Sequence, residues 1–337
     1  MNANDVIKQL LLSFNNNDKD AFLSTALEYI EREKRMNHTQ VVRELEKVLF
    51  DRSGNSSSFT ERRFKNTHPI PRDTEKGFPL LEIRNYDECF EDLIISDYVK
   101  EQLDQIIREF KDADILASYN LSYKRKILLC GKPGTGKTYT AKIVSSLLGL
   151  PLVYIRFDSI ISSYLGETAS NLRKVFDYIE DGTWIVLFDE FDIIGKNRDD
   201  IYEHGEIKRV VNNFLQMLDN YEGSSILFAA TNHQYLLDPA IWRRFDDVLF
   251  YDLPDLKTRQ ILFSRFLKSL QRDQNINFQF LSEKSEGLSH ADIQMIAIEA
   301  MKFAIIDERK TITKNDLYMA LDRFLRREKS RTTSKGD

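Results

Sequence analysis

The stretch Gly131-Lys132-Pro133-Gly134-Thr135-Gly136-Lys137-Thr138 fits the pattern G-x-x-x-x-G-K-[ST] and restricts the fold more than any other feature of the chain. The apolar run Ile127-Leu128-Leu129-Cys130 before it predicts a buried strand, and Tyr139-Thr140-Ala141-Lys142-Ile143-Val144 after it predicts a helix. Strand, glycine loop and helix in that order aim backbone N–H groups and the positive end of a helix dipole at one point, where phosphates bind. Gly131, Pro133, Gly134, Thr135, Gly136 and Tyr139 would surround the nucleotide. Lys137 would reach its β- and γ-phosphates, and Thr138 would ligate Mg²⁺.

Four further apolar runs share this character: Leu152-Val153-Tyr154-Ile155-Arg156, Trp184-Ile185-Val186-Leu187-Phe188, Ser225-Ile226-Leu227-Phe228-Ala229-Ala230 and Val248-Leu249-Phe250-Tyr251. Helical stretches separate most of them. The reading is an α/β protein, a P-loop NTPase with a five-stranded parallel sheet over residues 80–254. In such sheets ligands sit beyond the carboxyl ends of the strands. Asp189 ends one strand and matches the Mg²⁺-associated acid of P-loop enzymes. Glu190 beside it is suited to polarise an attacking water, and Asn232 ends the next strand, placed to help position that water.

On either side the periodicity becomes helical. Residues 1–50 carry apolar stripes at helical spacing (Val6, Ile7, Leu10, Leu11, Phe14; then Phe22, Leu23, Ala26, Leu27, Ile30), read as a small helical domain, either plain core or a docking surface for a substrate or partner. Residues 51–79 lose all period and read as a flexible linker with Arg62, Arg63 and Lys65 in its middle. Residues 255–328 read as a small all-α lid, with helices at Leu256–Leu270, Ala291–Ile306 and Lys314–Phe324, and 329–337 as a polar tail. No apolar run nears the roughly 20 residues that a membrane-spanning helix needs. The start of the chain lacks the features of a signal peptide, Cys89 and Cys130 are too few for a disulfide framework, and no zinc-ligand spacing occurs. A cytoplasmic protein is expected, and its net charge of −5 argues against a nucleic-acid partner.

Together these residues resemble the AAA-type ATPases over roughly Asp92 to Ile306, which implies ATP and Mg²⁺ as cofactors. Within them the chain is similar to the branch of protein unfoldases, disassembly enzymes and severing enzymes. Ser163-Tyr164-Leu165-Gly166-Glu167 looks like that branch's pore loop. The resemblance implies that Tyr164 and Leu165 grip an extended polypeptide in the channel of a homo-oligomeric ring, normally a hexamer, with Gly166 allowing the turn. Arg243 and Arg244, in Ala240-Ile241-Trp242-Arg243-Arg244-Phe245-Asp246, resemble the arginine fingers that complete a neighbour's site, although many relatives separate the two. Gly287-Leu288-Ser289-His290-Ala291-Asp292-Ile293 resembles the start of the lid helix beside the adenine, which implies base contacts from His290 and Ala291. Leu93 and Ile94 fall where relatives hold the base. Ile95 stands where the family often has glycine, and Phe266 replaces a common histidine. Lys196 to His204 matches a second channel loop, with Arg209 beyond it at the subunit interface.

The leading expectation is therefore a ring ATPase that unfolds, remodels or threads a protein, akin to short stand-alone bacterial AAA ATPases with a helical N-terminal region. A separate protease or effector is a possible partner, since the chain carries no protease signature of its own. Two other readings stay open: a nucleotide-gated scaffold that translocates nothing, and a DNA-directed AAA helper. Against the second stand the acidic balance and the lack, at the lid helix, of the Gly-x-Arg sensor that the resemblance would imply for replication initiators.

Overall fold

The computed structural model describes residues 25, 29, 69–73, 77–155, 160, 168–191, 204–237 and 239–333. The chain divides into two units, Met1–Asn66 and Thr67–Asp337. In the first, only Thr25 and Tyr29 are described, and both are helical. The rest of the expected N-terminal domain, the linker up to residue 68, Tyr164, Leu165, Gly166 and Lys196 to Glu203 lie outside the described residues.

The second unit is built on a six-stranded sheet in the order β1-β3-β4-β5-β2-β6. The strands are β1 (Leu81–Arg84), β2 (Lys126–Gly131), β3 (Leu152–Ile155), β4 (Ile185–Phe188), β5 (Ile226–Thr231) and β6 (Asp247–Tyr251). Five of them run parallel, as the sequence predicts. The sixth, β1, is an addition: it pairs antiparallel with β3, Leu81 opposite Ile155 and Arg84 opposite Leu152. Four residues with one wholly buried side chain carry no readable period, so this edge exists through its partner strand rather than through its own pattern. Just before it, part of the stretch read as linker is folded. Arg72 bridges Pro79, and the buried Asp73 accepts a hydrogen bond from Asn171.

The inner strands are largely apolar because helices cover both of their faces. On one face, Ile127, Leu129, Leu152, Ile185, Leu187, Ile226, Phe228 and Leu249 pack with α1 (Asp97–Lys111) and α3 (Lys137–Leu148). On the other, Phe188 meets Phe176 of α4 (Thr168–Glu180) and Phe214 of α5 (His204–Asp219), ring centroids 5.8 and 5.2 Å away. Truncating one such buried ring to alanine costs about 3–5 kcal/mol. Two short helices complete this part, α2 (Ala113–Ser118) and α6 (Pro239–Trp242).

After Pro254 the chain forms the lid: α7 (Leu256–Phe266), α8 (Phe278–Lys284), α9 (His290–Ile306) and α10 (Lys314–Thr333). Its core is separate, centred on Leu262, Phe263, Ile293, Ile296, Ala300 and Leu317. The expectation of an all-α lid needs correction, because β7 (Gln271–Arg272) and β8 (Thr311–Ile312) make a two-stranded parallel ribbon. Two-residue strands are too short to impose a period on the sequence. Helix α7 stops at Phe266, four residues short of the expected end, and α10 runs on to Thr333. The starts are written locally: Asp255 accepts from Thr258 N, Asn277 from Phe280 N, and Ser289 with Asp292 forms a capping box.

Candidate active site

Strand register brings the expected residues together. Cys130 is level with Thr231, and Phe188 with Ala229, so at the carboxyl edge of the sheet β4 ends two residues before β5 and β2 one residue after it. The glycine loop, Asn232 and Asp189-Glu190 all emerge at that edge.

The loop between β2 and α3 needs its glycines. Gly134 has φ +75° and Gly136 has φ +105°, in the left-handed region that side-chain-bearing residues avoid. A Cβ on Gly134 would fall 2.5 Å from Ser289 Oγ and 2.9 Å from Ala291 Cβ, so the lid lies directly on the loop. Ala291 N donates to Gly134 O at 3.1 Å, a bond between two backbones. Gly136 is the N-cap of α3, and no side chain caps that helix. Lys137 is buried, and its Nζ donates to the carbonyls of Gly131 and Lys132 at 2.8 Å each, so the ammonium lies along the loop. Thr135 Oγ1 closes the loop by donating to Lys132 O. Nearby, burial pushes the Cys130 thiol up to about 12 despite the charge of Lys137, so it stays protonated at neutral pH.

Thr138 Oγ1 donates to Asp189 Oδ2 at 2.8 Å, and Tyr154 OH reaches the same oxygen at 3.3 Å. Asp189 Oδ1 accepts from Glu190 N at 2.9 Å. Glu190 is exposed and has φ +54°, an uncommon conformation for a residue with a side chain. Such strain clusters at functional sites. Asn232 is half-buried, and Thr231 Oγ1 accepts from His233 N at 3.1 Å.

Leu93 is wholly buried, Ile94 packs against the lid core, and Ile95 is buried with Cγ2 4.0 Å from where a Cβ on Gly136 would stand. A larger residue thus fits where the family often has glycine. Arg265 of α7 pairs with Asp92 of the turn Phe90–Asp92, tying lid to loop, and Phe266 packs into the lid core. His290, the first residue of α9, faces the Ile94 backbone, yet neither of its buried ring nitrogens attains hydrogen-bond geometry with a partner among the described residues. Burial holds its pKa below the ordinary histidine value. Tyr139 OH donates to Glu88, and burial together with that carboxylate pushes its hydroxyl up to about 12.

The arginine pair divides. Arg244 Nε donates to Asp219 Oδ2 at 2.8 Å and its NH1 to Ala240 O at 2.7 Å, so it is clasped within its own chain. Arg243 is exposed. His204 and Arg209 lie in the first turns of α5, and their side chains are outside the described residues.

The site fits a magnesium nucleotide. The uncapped helix start and glycine loop suit phosphates, and the Thr138 hydroxyl with the Asp189 carboxylate offers the hard oxygen donors Mg²⁺ prefers. Among the described residues no group of three or more His, Cys, Asp or Glu side chains gathers, so phosphates and water would supply most of its ligands. The buried nitrogens of His290 could serve a polar group of a bound nucleotide. Three features escape a reading of the sequence: the Tyr154 contact, the Arg244–Asp219 clasp and the Asp92–Arg265 pair. Only the first leaves a trace there, a tyrosine in an otherwise aliphatic strand.

Comparison with known proteins agrees with this geometry. Residues 127–253 match the family model described as "ATPase family associated with various cellular activities (AAA)". An uncharacterized AAA family ATPase of Sinorhizobium fredii, y4kL, is 36% identical over 329 residues, 97% of each chain. The proteasome-activating nucleotidase of Saccharolobus solfataricus is 33% identical over 68% of this chain and 60% of its own length. The ATP-dependent zinc metalloprotease FtsH 2 of Sphaerobacter thermophilus is 31% identical over 82% of this chain and 42% of its own. Among the described residues no helix is long and apolar enough to cross a membrane. The chain belongs to the AAA family and is an ATP hydrolase.

Proposed function

We propose that the protein is a cytoplasmic, ring-forming ATPase that converts ATP hydrolysis into unfolding, remodelling or threading of a protein substrate. Bound Mg²⁺ supplies charge neutralisation at the β- and γ-phosphates. Lys137 leaves the loop carbonyls to meet those phosphates, Thr138 and Asp189 hold the cation, and Glu190 takes the proton of the attacking water while Asn232 orients it. Leu93, Ile94, His290 and Ala291 flank the base. Tyr164, Leu165 and Gly166 grip the polypeptide, and residues 1–50 dock it or a partner such as a separate protease.

The observation that carries the ring is the split arginine pair: Arg244 clasped by Asp219, Arg243 exposed. An exposed guanidinium beside an anchored one suits a group that acts on a neighbour's γ-phosphate. Two relatives, one named a proteasome-activating nucleotidase and one an ATP-dependent protease, favour protein substrates over DNA. The test is the mass of Glu190→Gln with and without ATP, beside wild-type turnover per subunit against protein concentration. We expect an ATP-dependent assembly of several subunits and turnover that rises with concentration. A monomer in both states, with constant turnover, would sink the ring.

A further inference from the structure

Strand β3, Leu152-Val153-Tyr154-Ile155, is wholly buried except at Tyr154, its one polar-tipped residue, which is half-buried. Parallel register sets Tyr154 level with Leu187 of β4. Side chains alternate along a strand, so Tyr154, Leu187 and the following Asp189 share the face that packs on α3. The tyrosine ring fills that face while its hydroxyl reaches the carboxylate.

A carboxylate offers about four lone-pair sites, two on each oxygen. On Asp189, Oδ2 accepts from both Thr138 Oγ1 and Tyr154 OH, and Oδ1 accepts from Glu190 N. Oδ2 is thereby filled by two donors, and Oδ1 keeps one lone pair. Both donors on Oδ2 are neutral, so the carboxylate keeps its whole charge for a cation.

We propose that Tyr154 is a positioning residue for the metal site, its hydroxyl fixing Asp189 so that Oδ1 is the oxygen turned to a water on the nucleotide's Mg²⁺. This rests on the reading of Asp189 as the metal-facing acid. Without the hydroxyl, Oδ2 regains a lone pair, the carboxylate can rotate, and cation binding weakens while phosphate binding by the loop does not. Partners that orient a metal-facing group typically contribute about 10–100-fold to metal affinity, and a 3.3 Å bond belongs at the lower end.

The test titrates Mg²⁺ into full-length Glu190→Gln protein holding a fluorescent ATP analogue, with and without Tyr154→Phe. Phenylalanine keeps the ring and therefore the packing. We expect the Mg²⁺ midpoint to rise about 10-fold. Affinity for the analogue in EDTA and the melting temperature of the nucleotide-free protein should stay as in the parent. Equal midpoints would overturn the proposal, and so would an equal loss of binding in EDTA, which would mark Tyr154 as a packing residue. A parent whose analogue binding ignores Mg²⁺ would instead remove the reading of Asp189 on which the proposal stands.

Discussion

The two ends of the candidate site are built on different terms. At the sheet edge the parts find one another inside the chain: Thr138 on Asp189, Lys137 on the loop carbonyls, Ala291 on Gly134. At the end of α6 one arginine is clasped by Asp219 and its neighbour is exposed. The first end is assembled to take a magnesium nucleotide. The second presents an exposed guanidinium at the surface. Nucleotide affinity should therefore belong to the monomer, and turnover to an assembly.

The largest expected effect separates the two. Arg243→Ala should lower turnover by about 10³–10⁵-fold, the scale of arginine fingers in GTPases, with nucleotide affinity unchanged. Mixing it with Lys137→Ala should recover part of the activity, since each variant brings the half that the other lacks. No recovery would place both halves in one chain and break the contrast. Arg244→Ala should cost less, because an exposed ion pair contributes only about 0–1 kcal/mol.

The next effect probes the sheet edge alone. Gly134→Ala places a methyl against Ser289 and Ala291 at a φ of +75°, whereas Gly149→Ala meets a similar φ of +62° with nothing within 4 Å. Both should lose about 1–2 kcal/mol to left-handed backbone strain, read by chemical denaturation. Only Gly134→Ala should also weaken ATP binding, by at least about tenfold, since its clash parts lid from loop. Equal binding in the two variants would mean that the lid contact is incidental.

The smallest effect is a pH slope. Burial lowers the pKa of His290 from the model-peptide value of 6.5, so between its folded pKa and 6.5 the unfolded chain binds the extra proton. Stability is thus complete above 6.5 and declines as pH falls through that window. His290→Gln should flatten the slope of denaturation midpoint against pH between about pH 7.5 and about pH 5. An unchanged slope would shift the cause to other groups.

Much of this was legible from residue order. The glycine loop, Asp189-Glu190 and the five parallel strands follow from local pattern, because a strand covered on both faces must be apolar and a phosphate loop must turn tightly. What stayed hidden depends on distance along the chain. Strand β1 pairs with residues some 70 positions later, and the ribbon β7–β8 joins two-residue pieces 40 apart. Asp219 and Arg244 are 25 residues apart, and neither is unusual in its own setting. Their meeting is set by where helices α5 and α6 end, which no short window contains. The Ser289–Asp292 capping box, three residues wide, was readable at once.

The bond from Ala291 N to Gly134 O has one more consequence. Because both groups belong to the main chain, the joint between lid and phosphate loop is written in no side chain. Relatives can drift at these two positions, within the limits of size and backbone angle, and still inherit it. A movement of the loop when phosphates arrive would be passed to α9 without any residue dedicated to sensing it.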